Sequence, residues 1–525
     1  TSKDIQGATQ TGTPTFAGTT VSVNGEDKEI TIKDNSYTLL DKDGNEVSTT
    51  PAYAEDGTTP IGTFAINPAT GTVTFTPTDK SYTGKVTPVK VQAESSNGIK
   101  VDTTYTPEIV PVTPTATPAE TTDIQGATQK GKPEFKGGTV TVDGVEKTVE
   151  INEDVPATFD DGSTTKTVEG VGTYTVAADG TVTFVPEKSF VGTAPAVTVV
   201  REDKNGTKAS ATYTPTVLPV TPTATPAETT DIQGATQTGK PEFKGGTVTV
   251  DGVEKTVEIN EDVPATFDDG STTKTVEGVG TYTVAADGTV TFVPEKSFVG
   301  TAPAVTVVRE DKNGTKASAT YTPTVTPVTP TAEDATTTDK QGQTQTGKPT
   351  FTPGNENVPM DDDTPATFED GSTTKTVEGE GTYTVAPDGT VTFVPEKSFT
   401  GTGTGVTVKR VDKNGTPVTA KYTPTVTPVT PTATPAESEA PQGVVQTGTV
   451  TFTEGDPVAP IDKDTITLLD ENGQPAESVV AKSPEGKEIG TFTVDKETGV
   501  VTFTPTDKSY SGEVVPVKVQ AKDAN

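Results

Sequence analysis

The sequence contains no cysteine, no histidine and no tryptophan, and a single methionine, Met360. Without cysteine there is no disulfide framework and no thiol nucleophile, so the chain must hold itself together by burial, repetition or another crosslink. Without histidine there is no imidazole base for catalysis. Basic residues are also scarce: 40 Lys and Arg stand against 74 Asp and Glu, a net charge of −34. That balance speaks against nucleic acid and anionic lipid, which bind through basic patches. No apolar run approaches the ~20 residues of a membrane helix, so no membrane insertion is expected. The opening residues Thr1-Ser2-Lys3-Asp4 carry no signal-peptide core.

What the chain has is repetition. Its 525 residues exceed what one core supports, since cores stop growing near ~250–300 residues. The stretch "PVTPTATPAETTDIQGATQ" from Pro111 to Gln129 returns word for word from Pro219 to Gln237, with degraded copies from Pro327 and Pro428. A Gln-Gly pair falls at Gly7, Gly126, Gly234, Gly342 and Gly443, in steps of 119, 108, 108 and 101 residues. A second marker keeps the same register: "GTVTFTPTDKSYTG" from Gly71, "GTVTFVPEKSFVG" from Gly180 and Gly288, "GTVTFVPEKSFTG" from Gly389 and "GVVTFTPTDKSYSG" from Gly499. Tyr-Thr-Pro closes the units at Tyr105, Tyr213, Tyr321 and Tyr422. These markers predict repeats at 1–114, 115–222, 223–330, 331–431 and 432–525. The last is expected to be truncated and the chain to be a segment of something longer. Units two and three are nearly identical, unit four is shorter upstream, and units one and five share "TLLD" and "PTDKSY".

Within a unit the apolar period is two. "GTYTV" (Gly172 to Val176) and "TVTFV" (Thr181 to Val185) flank Ala178-Asp179-Gly180, which predicts a hairpin with Tyr174, Val176, Val182 and Phe184 facing inward. "TVTVDGVEKTVEI" (Thr139 to Ile151) has Asp143-Gly144 at its centre, a pair suited to a tight hairpin turn. "AVTVVREDKNGTKASATYTP" (Ala196 to Pro215) folds about Asn205-Gly206. Short strands without a helical run predict an all-β fold, a tandem array of antiparallel, Ig-like β-sandwich repeat domains. The Pro/Thr-rich stretches between repeats predict short, stiff, extended linkers. Their polar composition leads to the further expectation that neighbouring units stabilise one another little.

Candidate sites have simpler readings. "DKDGNE" (Asp41 to Glu46) and "MDDDT" (Met360 to Thr364) could supply calcium oxygens, but they lack the length and terminal Glu of an EF-hand and match turn chemistry. "REDKNGT" (Arg201 to Thr207) is a hairpin tip by the same logic. Asp160 and Asp161 are adjacent on a polar loop, not opposed across a cleft as hydrolysis by paired carboxylates requires. A Lys–Asn isopeptide crosslink has few partners in unit two, where Asn152 and Asn205 are the only asparagines and Lys132, Lys136 and Lys188 read as solvated. No catalytic, cofactor-binding or metal residue is assigned, no cofactor is expected, and the chain is not expected to be an enzyme.

The combined stretches "DIQGATQ", "GTVTFVPEKSFVGTAPAVTVVREDKNGT" and "PVTPTATPAE" resemble the repetitive region of the streptococcal cell-wall-anchored fibrillar surface adhesin CshA, over essentially the whole chain. The resemblance implies an extracellular location on the bacterial surface, with anchoring through a C-terminal sorting signal absent from this chain. It implies a structural stalk that projects a distal adhesive domain, also absent, for host-cell and interbacterial adhesion. In that family a separate N-terminal region binds host matrix protein such as fibronectin. The partners expected for these residues are the neighbouring repeats. The alternative is a set of low-affinity modules acting by multivalency on host protein or glycan, which would call for a shared exposed aromatic patch.

Overall fold

A computed structural model describes residues 1–525. Every element is a β-strand. Unit two shows the plan. One sheet runs in the order Ala119–Ile124, Lys208–Leu218, Val197–Glu202 and Thr158–Phe159, with Gly192–Thr193 added beside Lys208–Leu218. The second runs Gln129–Gly131, Val182–Pro186, Gly172–Val176 and Thr165–Val168. Their inner faces enclose Tyr174, Val176, Val182, Phe184, Val197, Val199 and Tyr213, all buried. The equivalent clusters recur in units one, three and four.

The period-two pattern dictates this core. Tyr174 faces Phe184 and Val176 faces Val182 across the predicted hairpin, and the rings of Tyr174 and Phe184 lie 4.7 Å apart. The alternate positions Thr173, Thr175 and Thr183 face outward, where a β-branched polar residue suits a half-wet surface. Asp179 fixes the turn by accepting the Thr181 N–H at 2.9 Å.

The remaining pairings are antiparallel, as expected, with one exception in each of the first four units. The first strand of unit two runs parallel to its last, from Ala119 beside Tyr213 to Ile124 beside Leu218. Units one, three and four repeat this. The long last strand contains Pro215 in mid-sheet, a position that proline normally avoids because it cannot donate to the ladder. Here Val197 pairs with Tyr213 and Gly192–Thr193 takes over at Thr216 and Val217. Pro215 falls in the gap between those two neighbours, and its carbonyl accepts the Ala194 N–H at 2.9 Å.

The hairpin about Asp143-Gly144 forms as expected, with φ of 49° and 81° at its two turn residues that suit a type I′ turn. It stands outside the sandwich as a separate two-stranded sheet, Gly138–Val142 with Val145–Val149.

Candidate functional site

The linkers are the first departure from composition. Thr115–Thr117 pairs antiparallel with Glu134–Lys136, so the chain between units is zipped onto the unit it enters. Val112, Val220 and Val328, one in each of the first three linkers, are buried to 1%, 1% and 4% exposure. The expectation of a merely polar joint is therefore corrected for the first three joints, where a valine side chain is hidden among threonines.

At the second joint the detached hairpin completes a small apolar centre around that valine. Val250 and Val257 from the hairpin of unit three pack with Ile124 of unit two and linker Val220, with Ala127, Leu218 and Val248 at the margin. An ion pair borders it, Lys255 to Asp123 at 2.8 Å. The preceding junction has Lys147 on Asp4 at 2.6 Å. Unit four lacks the hairpin segment, and Lys340 reaches Asp456 at 2.6 Å at the next junction.

At the heart of every junction lies one repeated clasp. The Asn205 amide, on the 203–207 hairpin tip of unit two, donates through Nδ2 to the Gln6 carbonyl of unit one at 2.8 Å. Asn313 does the same to Gln125 at 2.9 Å, Asn414 to Gln233 at 2.8 Å and Asn525 to Gln341 at 3.0 Å. The accepting glutamine is held in place by its own side chain. Gln6 Nε2 donates to the Ser81 carbonyl at 2.8 Å, and its Oε1 accepts the N–H of linker Val112 at 3.1 Å. Gln125 repeats both contacts with Lys188 and Val220.

The glycine that follows each glutamine completes the socket. Gly7 and Gly126 have φ of +82° and +83°, and a Cβ on them would lie 2.0 and 2.1 Å from Asn205 Oδ1 and Asn313 Oδ1. Only glycine fits both the backbone and the incoming amide.

The tip is equally well built. Asp203 is fully buried and its Oδ1 accepts the N–H groups of Asn205 and Thr207, each at 2.9 Å. This aims the asparagine outward toward its neighbour.

The repeated "DIQGATQ" acquires a residue-by-residue meaning from this geometry. Asp123 takes the neighbour's lysine, Gln125 and Gly126 form the socket, and Gln129 works inside the sandwich. There Gln129 Oε1 accepts from the Thr121 hydroxyl at 2.6 Å, and Thr121 also meets the Tyr213 hydroxyl at 2.6 Å. Burial pushes the Tyr213 hydroxyl up from its ordinary pKa.

The acidic stretches singled out in the sequence serve turns. Asp41 Oδ1 accepts the N–H groups of Asp43 and Asn45, and the Asn45 N–H holds its carboxyl below the usual range. Asp361 accepts the Thr364 hydroxyl at 2.7 Å and Lys413 at 3.1 Å, and Asp362 takes Arg410 at 2.9 Å. Asp161 accepts the hydroxyl and N–H of Ser163, which lower its pKa, while Asp160 faces Lys166 at 3.6 Å. The Thr181 N–H lowers Asp179 to about 2. Lys132 pairs with Asp179 at 3.3 Å and Lys136 with Glu134 at 3.3 Å, all exposed. No group of three or more Asp or Glu side chains is arranged to hold a metal ion. No helix is long and apolar enough to cross a membrane.

Reading Asn205 as a turn former accounts for its backbone and misses its side chain. The signal was present in the sequence: Asn-Gly and Gln-Gly recur at the same period, as two halves of one contact must.

Sandwiches built alike and joined alike define a tandem array of Ig-like β-sandwich repeats. The chain belongs to the family of the surface adhesin CshA repetitive domain, which it matches five times, at residues 1–109, 111–217, 219–325, 327–426 and 428–525. That family places it at the cell surface. No curated protein matches the chain. Similar solved structures include the protocadherin GammaB4 extracellular domain, at 12% identity and TM-score 0.30, covering 91% of this chain and 76% of that one. The titin I9–I11 tandem is 11% identical with TM-score 0.25, covering 60% and 97%. The N-terminal eight Ig domains of Down syndrome cell adhesion molecule are 14% identical with TM-score 0.17, covering 94% and 66%. The chain's own strands, not these remote likenesses, define its fold.

Proposed function

We propose that this adhesin repeat region is a stalk, anchored in the cell wall through a segment outside these residues, that projects a distal adhesive domain for host-cell and interbacterial adhesion. The observation that carries the reading is the recurrence of one clasp at all four junctions. A fixed contact between successive units repeats one rotation and translation, and such repetition makes a rod or a gently coiled fibre. Recognition of host matrix protein such as fibronectin then belongs to the distal domain. The acidic surface, net −34, keeps neighbouring fibres apart and hydrated. The unit boundaries proposed are those set by the sequence markers. Catalysis has no part in this role.

The multivalent-module alternative requires exposed aromatics in common; of the aromatics shared by the units, Tyr174, Phe184 and Tyr213 are buried, and Phe135 and Phe190 are partly buried against the same core. The test replaces residues 1–525 in the parent adhesin by an unrelated acidic sandwich array of equal length, and separately shortens the native array to two units. A stalk predicts that the swap preserves attachment and the shortening weakens it. Loss of attachment on the length-matched swap, with the tip domain folded and displayed, refutes the stalk reading.

A further inference from the structure

The clasp asparagines carry a chemical liability that the stalk role does not use. Asn205, Asn313 and Asn414 are each followed by glycine, as are Asn24, Asn97 and Asn472. Glycine has no Cβ to shield its nitrogen, so Asn-Gly is the pair in which the backbone nitrogen most readily reaches the asparagine side chain. We propose that the junction Asn-Gly pairs are deamidation sites gated by the clasp: protected while docked, converted once a junction opens, and unable to dock again as before.

The step is closed in atoms. The Gly206 nitrogen loses its proton to solvent base and attacks Asn205 Cγ. A C–N bond forms, the Cγ–Nδ2 bond breaks, and ammonia departs. Water then opens the cyclic imide at either carbonyl, leaving aspartate or isoaspartate. The net change is one water consumed, one ammonia released and one negative charge gained.

Docking opposes this in two ways. The leaving nitrogen is held by the Gln6 carbonyl at 2.8 Å, and the amide is wedged against Gly7, where a Cβ would stand 2.0 Å from Asn205 Oδ1. Cγ cannot swing toward Gly206 without leaving the socket. Asn472 provides an internal control. Its Asp470-Glu471-Asn472-Gly473 turn matches Asp203-Lys204-Asn205-Gly206: Asp470 Oδ1 accepts the Asn472 N–H at 2.8 Å, and the Gly473 N–H meets the Asp470 carbonyl at 3.0 Å, against 2.9 Å for Gly206 on Asp203. The turns are alike. Asn472 is exposed and is not one of the four asparagines that clasp a neighbouring unit.

The product cannot serve the clasp. A carboxylate at 205 has no N–H to donate, faces the Gln6 carbonyl oxygen, and lies two residues from the buried Asp203 carboxylate. An opened and converted junction therefore stays loose, and the fibre keeps a covalent record of which joints have opened.

The test uses the whole chain held in mildly alkaline buffer at body temperature, with each asparagine followed by peptide mapping. A Glu-specific digest distinguishes the Asn205 and Asn313 peptides through Leu218 against Thr326. One net hydrogen bond shifts a two-state equilibrium about fivefold, so Asn472 should convert at least about fivefold faster than Asn205, Asn313 and Asn414. This comparison needs no variant. In Gly126→Ala, whose new methyl would collide with Asn313, Asn313 should rise to the rate of Asn472 while Asn205 and Asn414 stay slow. Asn313→Asp should lower hydrogen-exchange protection of the Val220 amide. Clasp asparagines that convert as fast as Asn472, an unaltered Asn313 rate in Gly126→Ala, or unaltered Val220 protection in Asn313→Asp would each overturn the proposal.

Discussion

Truncating one linker valine tests whether the joints are held by burial. Val220 is 1% exposed and packs with Ile124, Val250 and Val257 from the two units it connects. Val220→Ala removes two methyl groups at about 0.8 kcal/mol each, and the void they leave raises the cost to roughly 2 kcal/mol. That corresponds to about a thirtyfold increase in the open fraction of this junction. The Val220 N–H reports on it directly, because it donates to Gln125 Oε1 at 3.2 Å and is freed when the joint opens. Its hydrogen-exchange protection should fall by about that factor. Val199, at the centre of the unit-two core, should keep its protection, and the exposed neighbour substitution Thr221→Ala should change neither amide. Unchanged protection at Val220, or an equal fall at Val199, would refute the apolar-joint argument.

Acid should destabilise the sandwiches. The lowered carboxyls, such as Asp179, shifted from 3.8 to about 2 by the Thr181 N–H, and Asp287, likewise by Thr289, contribute stability that is present above the unfolded value and lost as pH falls through the folded one. Melting temperatures should therefore fall between about pH 4 and pH 2, and Asp179→Asn combined with Asp287→Asn should flatten that decline. In unit four, buried Glu380 accepts the N–H and hydroxyl of Thr404, each at 2.7 Å, and the hydroxyl of Tyr383. Glu380→Ala should orphan these donors at about 1–3 kcal/mol, seen as weaker exchange protection in Gly381–Val385 without change in unit two. Scattering from arrays of increasing length should show a maximum dimension growing nearly linearly, by about 35–50 Å per unit; growth near the square root of unit number would contradict the repeated clasp.

What the sequence made legible follows from locality. The Gly172–Val185 hairpin could be read because its turn and both its arms lie within fourteen residues, and alternation assigned Tyr174 and Phe184 to the core. The parallel pairing of Ala119–Ile124 with Lys208–Leu218 could not, because no turn connects strands so distant and a Pro inside the longer one argued against a central position. The linker misled for another reason. Its composition is polar on average, but average polarity does not prevent single residues from being buried, and Val112 and Val220, just ahead of the linker strands, are buried. Asn205 was recognisable as a turn residue from its neighbour Gly206. Its side-chain partner lies on another unit, 199 positions away, beyond the reach of any local pattern.

The parallel first and last strands determine how a unit carries load. Tension along the array enters unit two at Ala119 and leaves at Leu218, at opposite ends of two strands paired over six positions. Pulling slides these strands past one another along their own axes, so the hydrogen bonds between them are strained together and must fail together. The linker strand is placed differently. Thr115–Thr117 meets Glu134–Lys136 over three antiparallel positions, and tension from the preceding unit peels that pairing from one end. A stretched fibre should thus lengthen first in small steps at its joints, with the sandwiches yielding only at much higher force. Its compliance is concentrated between domains, and its strength within them.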